Sequence, residues 1–210
     1  MRNNLDIENL FSEPVGVFKS FRPLKNTESL YMHKELQNLG PNVGNKVSKN
    51  TYVLKSEELS ELHSFCLDAL SEFTTAVYGR PLDLRITQSW LNLTESGQFH
   101  HLHSHPNSVV SGVYYVQTSE LDRIEFARSE VIGSYDIVIP NGSWNSWNSK
   151  TWWIPTPQGS LILFKSTLKH HVPPVISTDS RISLSFNTFF SKDFGSETAL
   201  SLVEMPYGNK

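Results

Sequence analysis

Beyond Pro81 the chain loses helical periodicity and becomes a series of short β-branched and aromatic runs separated by turn residues. The pattern predicts strands at Leu84–Leu93, Val109–Gln117, Arg123–Ala127, Tyr135–Ile139, Thr151–Ile154, Ser160–Phe164 and Arg181–Phe190. Parallel neighbours need long crossovers, normally helices, and nothing helical lies between these runs. The strands are therefore expected to pair antiparallel in a sandwich or barrel, and a jelly roll is the best single match. At 210 residues the chain is long enough to bury a core of its own as one domain.

The first 80 residues read differently. Val15-Gly16-Val17-Phe18, between Pro14 and Pro23, suggests an edge strand. Thr27 to Leu39 shows helical spacing at Leu30, Tyr31, His33, Leu36 and Leu39, with His33 on the surface and Gly40-Pro41 as the stop. A loop over 40–51 leads to a second helix, capped by Ser56, with Glu57 and Glu58 in its first turn. Its apolar face is Leu59, Leu62, Cys66, Ala69, Leu70, Phe73 and Val77, and Gly79 and Pro81 end it. The expectation is a mainly β chain with flanking helices: an N-terminal helical annex over 1–80, a jelly-roll core over 81–192 and a tail over 193–210.

Net charge is −3 and charged residues make up 19%, so no field of one sign predicts nucleic acid or an anionic membrane as a partner. No apolar run reaches the roughly 20 residues that span a bilayer, and Met1 to Asp6 lacks the apolar core of a signal peptide. A single cysteine, Cys66, excludes an intramolecular disulfide and suits a reducing, cytoplasmic compartment. These features point to a small-molecule or peptide substrate, and the aromatic supply leaves room for a homodimer.

Six of the eight histidines fall in two places, Phe99-His100-His101-Leu102-His103-Ser104-His105-Pro106 and Lys169-His170-His171-Val172. Imidazole is the commonest side-chain metal ligand, and His-x-His on a strand aims both rings to one face. His101, His103 and His105 share parity, so either the 101/103 or the 103/105 pair can chelate one ion. His100 has the opposite parity and is expected on the surface or behind a ligand. Of the neighbours His170 and His171, only one can face inward. Downstream, Arg181, Ser183, Ser185 and Asn187 alternate strictly with Ile182, Leu184 and Phe186. An arginine inside a barrel needs an anion, and its planar fork suits a carboxylate. Ser143-Trp144-Asn145-Ser146-Trp147-Asn148 is a small tandem repeat whose indoles either roof the barrel or lid a substrate pocket.

The spacing of His170 and Arg181-Ile182-Ser183 resembles the His, Arg-x-Ser signature of iron(II)- and 2-oxoglutarate-dependent oxygenases. More narrowly, Ser89-Trp90-Leu91-Asn92, the run from His103 to Tyr115, Gly159 to Phe164 with Leu168-Lys169-His170, and Arg181 to Asn187 resemble a family of such oxygenases often found in marine bacteria and their phages. The resemblance covers roughly residues 84–190 and implies a double-stranded β-helix. It implies Fe(II) held by His103, His105 and His170, with His101 and His171 as alternates, and 2-oxoglutarate held by Arg181 and Ser183. Tyr115 and Asn92 join the cosubstrate site, and Tyr114, Asn187, Trp144 and Trp147 the substrate pocket. The implied activity is a dioxygenase, using O2 and 2-oxoglutarate to hydroxylate a substrate. His105 departs from the superfamily's usual carboxylate, leaving three neutral imidazoles and no anionic ligand. Two other readings are a cupin-like three-histidine metalloenzyme that uses no oxo-acid and a non-enzymatic metal-binding jelly roll.

Overall fold

The computed structural model describes residues 9–10, 12–19, 23–128 and 143–206, so the expected strand Tyr135–Ile139 lies outside the described residues. In chain order the elements are β1 (Val15–Phe18), α1 (Asn26–Glu35), β2 (Leu39–Pro41), β3 (Lys46–Ser48), α2 (Ser60–Tyr78), β4 (Leu84–Thr94), β5 (His100–His103), β6 (Val110–Gln117), β7 (Arg123–Ala127), β8 (Thr151–Pro155), β9 (Leu161–Lys165), β10 (His170–Val172) and β11 (Arg181–Phe190). From β4 onward the chain passes between two antiparallel sheets, and this crossing makes it a double-stranded β-helix. The larger sheet runs β1-β9-β6-β11-β4-β3-β2 and the smaller β5-β10-β7-β8.

Side-chain alternation divides the core in two. On the outer face of the larger sheet, Leu91, Val110, Tyr114, Leu161, Leu163, Ile182, Leu184 and Phe186 pack with Leu59, Leu62, Cys66, Ala69, Leu70 and Phe73 of the α2 region. Between the sheets lie Val113, Tyr115, Ile124, Phe126, Ile162, Phe164 and Leu168. β9 is apolar without alternation because it serves both layers. On β11 the apolar set faces the helices, so Arg181, Ser183, Ser185 and Asn187 face the barrel interior. Of the adjacent tyrosines, Tyr115 enters the barrel and Tyr114 goes to the helices.

The annex departs from expectation in three places. α1 stops at Glu35 because Gln37 and Asn38 bond back to Lys34 and Glu35 carbonyls, which frees Leu39-Gly40-Pro41 to pair with β3. Leu30 is 70% exposed and Met32 only 1%, so the buried stripe of α1 runs through Met32 and Glu28. Ser56 opens a 3-10 turn over Glu57–Leu59, its hydroxyl bonded to the Glu58 carboxylate, and the α-helix itself starts at Ser60. The other end is as read: Gly79 adopts φ +76° and donates its N–H to Thr75 O.

Gly112 of β6 sits opposite Phe186 of β11, and a Cβ there would lie 2.2 Å from Phe186 Cζ. Gly112→Ala is therefore predicted to lower unfolding free energy by about 1–3 kcal/mol through overpacking, measurable by denaturant titration. A restored midpoint in Gly112→Ala/Phe186→Leu, relative to Phe186→Leu alone, would identify the ring as the clashing group.

Candidate metal centre

Two short strands and the turns that follow them build the centre. β5 pairs with β10 so that His103 faces His170 and His100 faces Val172. Four residues on β5 thus stand opposite three on β10, a bulge that turns His100 and His103 to one face although their parity differs. Of the two expected placements of His100, on the surface or behind a ligand, the second describes it: its ring stacks on His103, and it lines the pocket with His103, His105, His170, Tyr115 and Arg181. His105, just past the end of β5, is tied by its N–H to Ser166 O at 2.9 Å.

One nitrogen each of His103, His105 and His170 lies within 4.8 Å of the others, the spacing a single ion needs. Their ring centroids are 4.3 to 5.2 Å apart. His103 Nδ1 meets His101 O at 2.7 Å and His170 Nδ1 meets Leu168 O at 3.0 Å. A carbonyl can only accept, so Nδ1 carries the proton in both rings and Nε2 keeps its lone pair free for a metal. His105 Nδ1 contacts the Asn187 amide at 3.4 Å, and that amide is held by Ser111, itself bonded to Ser166. Trp90 packs against His105 with centroids 5.9 Å apart.

A second trio, His100, His101 and His103, also has one nitrogen each within 4.8 Å, and His101 Nδ1 is buried without a partner. His171 stands apart from both trios. Its Nε2 lies 3.1 Å from Glu125 Oε2, as its opposite parity to His170 requires.

Burial keeps these rings neutral. The His170 pKa falls to about 3, chiefly through burial and then through His103, despite the favourable Leu168 carbonyl. Burial and His103 also lower His105 to about 4 and His100 to about 3, with His101 and Arg181 adding to the His100 shift. Burial lowers His103 as well. Neutral imidazoles can bind a metal at pH 7 without first losing protons.

Beside the histidines, Arg181 is 2% exposed, and among the described residues no carboxylate pairs with it. Its guanidinium lies 5.1 Å from the Tyr115 ring centroid. Arg181 Nε, Tyr115 Oη and Asn92 Oδ1 are all buried without hydrogen-bond partners, while Asn92 Nδ2 reaches Ser185 at 2.9 Å and Ser183 at 3.5 Å. Burial raises the Tyr115 hydroxyl to about 12 against the opposing pull of Arg181, so it remains a proton donor. A buried cation whose own Nε and neighbouring Tyr115 hydroxyl are unmet donors is a site for an anion, whereas the unmet Asn92 Oδ1 is an acceptor. The imidazole trio thus fits a divalent ion, and the neighbouring donors fit a carboxylate.

The remaining expected pocket residues scatter. Tyr114 backs onto the helices and lines a separate cavity of about 520 Å³ with Met32 and Ile182. Trp144 is 73% exposed, and Trp147 lines another cavity, of about 750 Å³, with Trp152, Phe126 and Leu168. Neither tryptophan lines the histidine pocket. Trp90, Ser185 and His100 line it without having been singled out as site residues.

Residues 88–187 match the family described as "Putative 2OG-Fe(II) oxygenase". Over those residues the β-helix core is similar to that family of 2-oxoglutarate/iron(II) oxygenases. Solved structures of similar fold include a 2OG-Fe(II) oxygenase family oxidoreductase from Burkholderia pseudomallei, 12% identical over 83% of each chain with a TM-score of 0.56. HygX from Streptomyces hygroscopicus, with nickel, 2-oxoglutarate and hygromycin B bound, is 12% identical over 85% of this chain and 84% of its own, with a TM-score of 0.55. A prolyl hydroxylase from Trichoplax adhaerens, in complex with a hypoxia inducible factor peptide fragment, is 15% identical over 86% and 85%, with a TM-score of 0.54. No curated protein sequence matches the chain.

The depressed histidines set an acid limit on the metal-free protein. A folded pKa below the unfolded value of about 6.5 means that the unfolded chain takes up more protons between the two. Stability is complete above about pH 6.5 and falls as pH drops toward 3, by about 1.4 kcal/mol per pH unit for the buried His170 alone. The thermal midpoint of the metal-free protein should decline between pH 6.5 and 4.5, and less steeply in His170→Leu. Equal slopes would show that His170 is not held neutral.

Proposed function

We propose that His103, His105 and His170 hold iron(II), that Arg181 holds the far carboxylate of 2-oxoglutarate, and that the enzyme hydroxylates a small molecule or a peptide side chain. The observation that carries this reading is Arg181, buried and without a paired carboxylate among the described residues, beside three neutral imidazoles. When bound, iron(II) and 2-oxoglutarate supply dioxygen activation: the oxo-acid is decarboxylated to succinate and CO2, one oxygen atom enters succinate, and the other enters the substrate.

The chain's own residues provide the rest. His101 O and Leu168 O lock the Nδ1–H tautomers and aim Nε2 of His103 and His170 at the ion. Asn187 and Trp90 hold the His105 ring from two sides, and Asn187 serves there as a support rather than as a substrate contact. Tyr115 covers the guanidinium with its ring and brings its protonated hydroxyl to the same carboxylate, while Asn92 orders Ser183 and Ser185. Val113, Ile124 and Val172 keep the pocket dry, which strengthens each of these polar contacts. Three neutral ligands leave the ion's full charge to be met by the oxo-acid, so its binding and metal retention should be coupled.

Proteins of this fold bind ligands of both classes, hygromycin B in HygX and a peptide fragment in the Trichoplax hydroxylase. In this reading residues 1–210 act as one oxygenase domain in a reducing cytoplasm, where buried Cys66 stays a thiol.

Anaerobic addition of iron(II) and 2-oxoglutarate should produce a metal-to-ligand charge-transfer band, and turnover should release succinate. Arg181→Ala should weaken 2-oxoglutarate binding roughly 10- to 100-fold, the worth of a charge-assisted contact. Iron(II) affinity without the oxo-acid should stay unchanged. Background-level succinate from both proteins would overturn the assignment.

A further inference from the structure

The β2–β3 turn of the N-terminal annex reaches the pocket. Gly44, at φ +87°, accepts the Phe99 N–H on its carbonyl at 3.1 Å, and a Cβ there would lie 2.6 Å from Phe99 O. The turn is therefore seated directly against the chain entering β5. Asn42 Nδ2 donates to Asn45 Oδ1 at 3.0 Å and lies 3.3 Å from His100 Nε2; Asn45 Nδ2 in turn donates to Thr94 Oγ1 at 3.3 Å.

These bonds set the tautomer of His100. With one amide hydrogen on Asn45 and the other on His100, Nε2 must accept, and a neutral imidazole then carries its proton on Nδ1. In this tautomer His100 offers Nδ1 as a donor. Its ring stacks on His103, with centroids 4.5 Å apart and planes 23° apart, and it lines the pocket shared with Arg181 and Tyr115. No described residue accepts from Nδ1. The residues lining the pocket therefore include an N–H donor that is stacked on one expected iron ligand and shares the pocket with Arg181.

We propose that His100 donates a hydrogen bond from Nδ1 to bound 2-oxoglutarate, with Asn42 as the positioning residue that holds it in the donating tautomer. This inference rests on reading the pocket as the iron and 2-oxoglutarate site. It gives the annex a role in cosubstrate binding: the β2–β3 turn aims one of the donors.

The test is a double-mutant cycle on the full-length, iron-loaded protein, reading 2-oxoglutarate affinity from the anaerobic charge-transfer band and KM and kcat from succinate release. His100→Phe keeps a ring to stack on His103 but removes the donor; it should weaken 2-oxoglutarate binding about tenfold, in KM rather than kcat, and leave iron(II) affinity unchanged. Asn42→Ala should weaken binding several-fold, and the double variant should be no worse than His100→Phe alone, because Asn42 acts through His100. His100→Asn, whose amide N–H sits near the position of Nδ1, should recover most of the affinity. Unchanged 2-oxoglutarate affinity in His100→Phe, or effects that multiply in the double variant, would overturn the inference. Loss of iron(II) binding in His100→Phe would overturn it in favour of His100 as a ligand. Absence of the band in the wild-type protein would instead count against the iron and 2-oxoglutarate reading itself.

Discussion

The site depends on one unmet electrostatic demand, a guanidinium buried at the start of β11 with no carboxylate paired to it among the described residues. Leaving a cation unpaired inside a protein costs several kcal/mol even after relaxation, which the fold sustains by packing β11 between β4 and β6 on long ladders. The strict alternation of that strand makes Arg181 point inward, since its apolar partners Ile182, Leu184 and Phe186 are already committed to the helical layer. A ligand with an anionic end relieves the demand. Its other end then falls among the imidazoles, because both groups line the same narrow pocket.

The histidines complement this demand. Burial drives them neutral, and backbone carbonyls fix which nitrogen is free in two of them. The same logic separates the two trios of close nitrogens. In the trio containing His105 and His170, backbone carbonyls leave Nε2 of both His103 and His170 free; in the trio containing His100, only His103 is fixed in that way. Proximity alone does not distinguish them; two carbonyl-fixed rings against one do.

Much of this was legible in the sequence wherever side-chain period decided the outcome. The β11 face, the single inward tyrosine of Tyr114-Tyr115 and the outward turn of His171 all follow from period two in regular strands. Where the backbone breaks period, the reading fails. The β5–β10 bulge carries His100 into the pocket against its parity, and no residue type in Phe99-His100-His101-Leu102 announces it. Leu30 looks like core on helical spacing, but α1 is short and lies on the sheet through Met32 and Glu28. The Trp144–Trp147 tandem suggested a lid from composition alone, and composition does not say which end of the barrel a loop covers. Contacts such as Asn42 to His100, 58 residues apart, depend on the docking of the annex and leave no local trace.

The central claim is that one iron(II) sits among His103, His105 and His170 with an oxo-acid extending to Arg181. The most direct measurement is anomalous diffraction at the iron edge from anaerobic crystals of the protein with iron(II) and 2-oxoglutarate. The account predicts one iron peak within bonding distance of those three imidazoles and a carboxylate resting on the Arg181 guanidinium. A peak among His100, His101 and His103, or an Arg181 left without an anion, would contradict it.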